Sequence, residues 1–193
     1  MEVKDEKIID YIRVFDDIWK KETIDCFLNI CKESKKFNKA LVTDKNKPLN
    51  EEVRKTNSWH LKAVNGDSIT EIHWANFLAY TFNNNITRYI NTIGILNISA
   101  VVDDIQVLKY EKSGHYKFHI DHGKINRTLS CIFFLNDNYE GGELRFRLPN
   151  GLNEIEIPKK RNRMIIWPSS FQYPRSVLPV KNGTRYSVVA WAS

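Results

Sequence analysis

Cysteine is scarce: three residues, scattered at Cys26, Cys31 and Cys131. An odd, dispersed set argues for a reducing compartment and against a disulfide framework. Long apolar runs are missing, since no stretch approaches the roughly 18 residues a membrane helix requires. The first ten residues carry acidic side chains and no apolar signal core. The expectation is therefore a cytoplasmic protein with no membrane partner. Without a signal, the sequons at Asn97, Asn126 and Asn182 read as chance matches. Repeats, low-complexity tracts and linkers are absent as well, which leaves one domain over residues 1–193, long enough to bury a sizeable core. Histidine is absent after His122, so a metal site drawing on the last third of the chain has no imidazole there.

The formal charge is +6, which permits an acidic partner without demanding one. Its densest basic run is Lys159-Lys160-Arg161-Asn162-Arg163. The run lies between two strand-like segments and reads as a solvated turn ahead of a nucleic-acid contact.

Two halves differ in pattern. Residues 1–99 read as a helical support region. Ile24, Phe27, Leu28 and Cys31 fall at i, i+3, i+4 and i+7, one helix face. Ser68-Ile69-Thr70-Glu71 is a capping-box pattern that predicts a second helix start. Ile72, Ala75, Ala79, Phe82, Ile86 and Tyr89 make its stripe, and Gly94 is a plausible stop. The polar stretch 36–66 reads as loop. From about residue 100, short strands are predicted at 105–110, 128–135, 143–148, 154–157, 164–167 and 184–191. Turn signals such as Gly141-Gly142, Pro149-Asn150-Gly151 and Asn182-Gly183 separate them. Many short strands predict a sandwich or jelly roll, with the N-terminal helices packed on one face.

His119 and Asp121 are two apart, so on a strand both face one side and can converge on one metal. That supplies two members of a two-histidine, one-carboxylate triad. By itself the triplet is more often a surface hydrogen-bonded pair. Arg185 and Ser187 share a face in the same way, and a buried guanidinium suits a carboxylate because it donates two parallel hydrogen bonds.

Around these pairs stand Tyr110, Gly114 and Tyr116, then Arg127, Leu129 and Ser130, then Phe134-Leu135-Asn136-Asp137. Tyr139-Glu140-Gly141-Gly142-Glu143-Leu144, Trp167-Pro168-Ser169-Ser170, Gly183-Thr184-Arg185-Tyr186-Ser187 and Trp191 follow. In this order, over residues 100–193, the chain resembles the iron(II)/2-oxoglutarate-dependent dioxygenases of the prolyl 4-hydroxylase type. The resemblance implies a double-stranded β-helix and a hydroxylase of a peptidyl or small-molecule C–H bond. It implies Fe(II) on His119 and Asp121, with 2-oxoglutarate held by Arg185, Ser187 and Tyr110 and ascorbate as an accessory reductant. Protein, peptide and small-molecule substrates all fit it, and a nucleic-acid substrate fits less well.

The family's second metal histidine falls at Arg175, in Phe171-Gln172-Tyr173-Pro174-Arg175-Ser176-Val177. Guanidinium has no lone pair to give. Its charge at about 4 Å from a divalent ion would cost up to about 8 kcal/mol at an effective dielectric near 20. The alternative to an enzyme is a pseudoenzyme or a structural or binding module of the same fold, with Arg175 paired to Asp121. His115, in the Gly114 turn, and His122, turned away by alternation, are poor substitutes. His60 and His73 lie in the helical half and receive no role.

Overall fold

The computed structural model describes residues 7–41, 50–94, 100–122, 127–148 and 153–193. The Asn97 and Asn126 sequons and the Pro149-Asn150-Gly151 turn lie outside them. Helix α1 spans Lys21–Glu33 and buries Ile24, Phe27, Leu28 and Cys31, the expected face. Helix α2 spans Ile69–Ile93. Ser68 caps it by accepting from the Glu71 N–H at 3.1 Å, and Gly94 ends it at φ 70°. The Glu71 carboxylate does not complete the box; it turns to Lys36, 2.5 Å away. Of the predicted stripe, Ala75, Phe82, Ile86 and Tyr89 are buried, joined by Trp74 and Leu78.

The strands are β1 Arg13–Phe15, β2 Asn38–Lys39, β3 Arg54–Lys55, β4 Asn57–His60, β5 Val102–Tyr110, β6 His115–His119, β7 Leu129–Phe134 and β8 Glu140–Gly141. They continue as β9 Leu144–Arg147, β10 Glu154–Ile157, β11 Met164–Pro168, β12 Arg175–Val177, β13 Val180–Asn182 and β14 Arg185–Ala192. One antiparallel sheet runs β1-β11-β7-β14-β5-β4-β2, a second runs β10-β9-β12-β6-β3, and β13 pairs with β8. The first half is thus less helical than its periodicity suggests: β1 to β4 extend both sheets, and part of the 36–66 stretch is strand rather than loop.

Three layers result. Phe133, Met164, Ile166, Val188 and Ala190 of the larger sheet meet Phe27, Trp74, Leu78 and Phe82 of the helices. Their alternate neighbours, Ile132, Phe134, Ile165, Trp167 and Val189, point between the two sheets toward Leu144, Phe146 and Val177. Strand β7 is therefore buried on both faces, which is why its sequence shows no alternation. Full burial of each such side chain is worth about 1.5–3 kcal/mol. The fold is mostly β with helices on one face, as expected.

The basic run forms an internal clasp. Arg163 grips Asp16 with Nε at 2.7 Å and a terminal nitrogen at 3.0 Å, Lys160 adds a third contact at 3.1 Å, and Arg161 pairs with Asp25. The Arg163 hydrogen bonds hold Asp16 down at about 2. These charges tie the β10–β11 turn to the segment before α1 through Asp16 and to α1 itself through Asp25.

Candidate functional site

Strand β14 pairs with β5 so that Arg185 stands opposite Tyr110. Arg185, Ser187, Val189 and Trp191 point between the sheets, while Tyr186, Val188 and Ala190 face the helices. Arg185 is fully buried, its guanidinium carbon 4.9 Å from the Tyr110 ring and 5.1 Å from the Phe134 ring. None of its three side-chain nitrogens has a hydrogen-bond partner among the described residues. The hydroxyls of Ser187, Tyr110 and Tyr139 are likewise buried and unpartnered. The Tyr139 hydroxyl faces Arg185, and both retain donors to spare. A fully buried cation ringed by donors is chemically suited to an acceptor-only group such as a carboxylate.

Gly142 makes room for the guanidinium. At φ 67°, a Cβ there would stand 3.2 Å from Arg185 Cδ and 3.1 Å from the Tyr139 ring. Gly142→Ala is expected to lose about 1–2 kcal/mol of stability from its left-handed backbone and to weaken carboxylate binding. Thermal unfolding and titration calorimetry would read the two effects. Unchanged binding would mean Arg185 is not held by this contact.

The second constellation lies where β12 pairs with β6, with Arg175 opposite His119. Asp121 lies just past the end of β6, on a bend rather than in the strand. Even so, its Oδ1 comes within 3.9 Å of His119 Nε2. Arg175 closes on the carboxylate with both arms: Nε to Oδ2 at 2.7 Å and a terminal nitrogen to Oδ1 at 2.9 Å, all buried. Burial would push the Asp121 carboxyl up, but the Arg175 charge and hydrogen bonds hold it well below the usual carboxylate range. His119 packs flat on Tyr116, ring centroids 3.5 Å apart, and its Nδ1 lies 2.8 Å from the Lys117 carbonyl. Nδ1 therefore carries the proton, and Nε2 offers a shielded lone pair with no partner.

Burial, followed by the Arg175 charge, pushes His119 down to about 3. The unfolded chain binds this proton near pH 6.5 and the folded protein only near pH 3, so stability must fall as pH drops through that window, by at most about 1.4 kcal/mol per pH unit. His119→Gln is expected to flatten the acid limb between pH 6.5 and 4 in urea titrations. An unchanged slope would assign the limb to other groups.

His122 is exposed, and the two His115 ring nitrogens lie 2.9 Å from the Ser113 carbonyl and 3.3 Å from that of Glu52. His60 lies 3.8 Å from Asp104, and His73 packs on Trp74 and Phe77. Among the described residues no third histidine, cysteine or carboxylate joins His119 and Asp121. Sequence reasoning overlooked Tyr139 as a donor, Tyr116 as the platform under His119, and Trp167, whose ring lies 5.2 Å from the Arg175 guanidinium. All three stand among the residues quoted for the resemblance, so their positions were available, but spacing alone assigned them no contact.

Between its sheets the protein thus sets a buried arginine with unpartnered hydroxyls at one point and a His-x-Asp pair at another. Residues 105–193 match the family described as the 2OG-Fe(II) oxygenase superfamily. It is 37% identical over 97 residues to a PKHD-type hydroxylase of Synechococcus sp. (strain CC9902), covering 47% of this chain and 41% of that protein. A PKHD-type hydroxylase of Stenotrophomonas maltophilia is 33% identical over 93 residues, 43% of this chain and 40% of its own. The chain thus spans about two-fifths of the length of the curated relatives it matches. Among solved structures, a Pseudomonas putida prolyl-4-hydroxylase superposes with TM-score 0.71 at 17% identity, over 95% of this chain and 96% of that one. A prolyl hydroxylase of Trichoplax adhaerens, in complex with a hypoxia inducible factor oxygen degradation domain peptide fragment, gives TM-score 0.75 at 17% identity, over 96% and 87%. The fold is thus that of the prolyl hydroxylases.

Fe(II) and 2-oxoglutarate are the metal and cosubstrate of this superfamily. The orphaned donors around Arg185 fit a carboxylate. The metal corner does not fit Fe(II) as arranged, because Arg175 takes both Asp121 oxygens and offers no lone pair in return. Among the described residues no helix is long and apolar enough to cross a membrane.

Proposed function

We propose that this chain is a 2-oxoglutarate-binding, hydroxylase-like protein. Arg185, Ser187 and Tyr110 grip the distal carboxylate, and Tyr139 adds a further donor. The observation that carries this reading is the full burial of Arg185 with three unbonded nitrogens. Such a charge is costly to keep inside a protein unless a ligand completes it. Hydroxylation of a peptidyl or small-molecule C–H bond is the activity that fits the class, with His119 and Asp121 as the protein's metal ligands. It requires Arg175 to leave Asp121. The free cysteines support a reducing, cytoplasmic setting. A second reading, a binding module that no longer oxidises, is favoured by the buried two-armed ion pair.

Calorimetric titration of 2-oxoglutarate, with and without Fe(II) under nitrogen, tests the first reading. Succinate release in air, with ascorbate present, separates the two. Binding with turnover supports the hydroxylase, and binding without turnover supports the module. No binding under either condition removes the carboxylate assignment.

A further inference from the structure

Half of the chain's positive surplus sits at one edge of the sandwich. A cavity of about 250 Å³ opens there between β2, β3 and the β5–β6 turn. Lys39, Arg54, Lys55, Lys109 and Lys112 line it against two carboxylates, Glu51 and Glu111, a surplus of three within the formal +6. Both carboxylates are already taken, Glu51 by Lys39 at 2.6 Å and Glu111 by Lys109 at 2.8 Å. Arg54, Lys55 and Lys112 are left with no carboxylate partner among the described residues. The walls that carry them are fixed. The Thr56 hydroxyl donates to the Lys109 carbonyl at 2.9 Å, which ties the β3–β4 junction to β5. The Ser113 N–H donates to the Val180 carbonyl at 2.8 Å, which pins the β5–β6 turn. Arg54 is held at two points: a terminal nitrogen donates to the Leu41 carbonyl at 3.0 Å, and the guanidinium carbon lies 4.7 Å over the Tyr116 ring. A guanidinium fixed in this way loses little freedom on gripping an anion. Lys55 is drawn to the Ser113 hydroxyl at 2.6 Å.

Charge and size select the ligand. A phosphoryl group carries about 1.5–2 negative charges at neutral pH and three acceptor oxygens, whereas a lone carboxylate would leave most of the surplus unmatched. The cavity is smaller than the about 300–1,000 Å³ of drug-sized pockets, which suits a small anion. Among the described residues no aromatic ring lines it, so it lacks the stacking platform of a single-stranded nucleic-acid site. We propose that this edge cavity binds a small soluble phosphoryl-bearing anion, a diphosphate or a phosphate ester, through Arg54, Lys55 and Lys112. The site does not involve Arg185 and stands whether or not Arg185 holds a carboxylate.

Titration calorimetry of inorganic diphosphate into the full chain tests this, at constant physiological ionic strength so that diffuse attraction is screened. One saturable site is expected. Lys55→Ala combined with Lys112→Ala should weaken it about tenfold or more, and Arg54→Gln about tenfold, the worth of hydrogen bonds to charged groups. Lys21→Ala combined with Lys32→Ala removes the same charge from exposed positions on α1 and should leave the affinity unchanged, as should Arg185→Leu. Equal weakening by the α1 pair overturns the proposal, because net charge would then explain the binding. Loss of binding in Arg185→Leu, with binding kept in the Lys55 and Lys112 double variant, places the anion between the sheets and overturns it as well. Absence of saturable binding overturns it, as does binding to phosphatidic acid vesicles without binding of free diphosphate, which would mark a charged face and not a bounded site.

Discussion

Arg175→His is expected to unfold well below the parent in chelator and to recover when a divalent transition metal is added. Asp121 is buried, and its carboxylate depends on Arg175 for two hydrogen bonds and a compensating charge. Removing one partner of a buried pair typically costs about 3–5 kcal/mol, and a domain of this size loses about 2–4 °C per kcal/mol. The pH dependence should also change sign locally. In the parent, the depressed Asp121 pKa means the pair's stabilisation is present above the ordinary carboxylate value of 3.8 and is lost as pH falls through the folded one. In the variant, burial is opposed only by the weaker influences of His119 and Ser130 and raises that pKa, so the deficit is largest near neutrality and shrinks on acidification. Metal would reverse it, because imidazole supplies a neutral donor where a cation stood. Replacing both partners by apolar side chains, Asp121→Leu with Arg175→Met, should restore most of the stability without restoring metal binding. Unfolding midpoints of the three proteins at several pH values, with and without Mn(II), would check this. If Arg175→His changes neither midpoint nor metal affinity, the ion pair contributes nothing and this account of Arg175 is wrong.

Arg185→Leu should act in opposite directions on binding and stability. Loss of a buried charged partner costs about 2–5 kcal/mol of affinity, or about thirtyfold to several thousandfold in Kd for a carboxylate ligand. The ligand-free protein should become more stable. Its guanidinium is fully enclosed between Tyr110, Phe134 and Gly142, no carboxylate or carbonyl among the described residues accepts from it, and leucine places an apolar group in a largely apolar site. Ser187→Ala should give a smaller shift of the same kind. Calorimetry and thermal unfolding on the same samples read both. Lower stability with unchanged affinity would mean that Arg185 is a structural residue.

Much of this could be read in the chain because local physics left a pattern. The α1 stripe, the Ser68 cap and the Gly94 stop follow from helix geometry, and the shared face of Arg185 and Ser187 follows from the period of a strand. The missing histidine was visible as well, since nothing beyond His122 can supply one. Other elements left no such pattern. Strands β2 and β3 are two polar residues each and exist because neighbouring strands offer open edges. Strand β12, Arg175-Ser176-Val177, is too short to show alternation. Asp121 reaches the corner from a bend beyond β6 that strand counting does not foresee.

The sequence by itself determined the class of fold, the shared face of Arg185 and Ser187 and the arginine standing where the resemblance expects a histidine, because each rests on residue type and near-neighbour spacing. It left the direction of Arg175 open, inward to Asp121 or outward to water. Only the tertiary structure decided that. Pairing of β12 with β6 sets Arg175 opposite His119, 56 positions away in the chain, beneath the Trp167 ring and beyond the reach of water. Once water is excluded, the guanidinium has one strong acceptor within range, the Asp121 carboxylate. Local sequence carries no record of that choice, because it depends on long-range register and on desolvation.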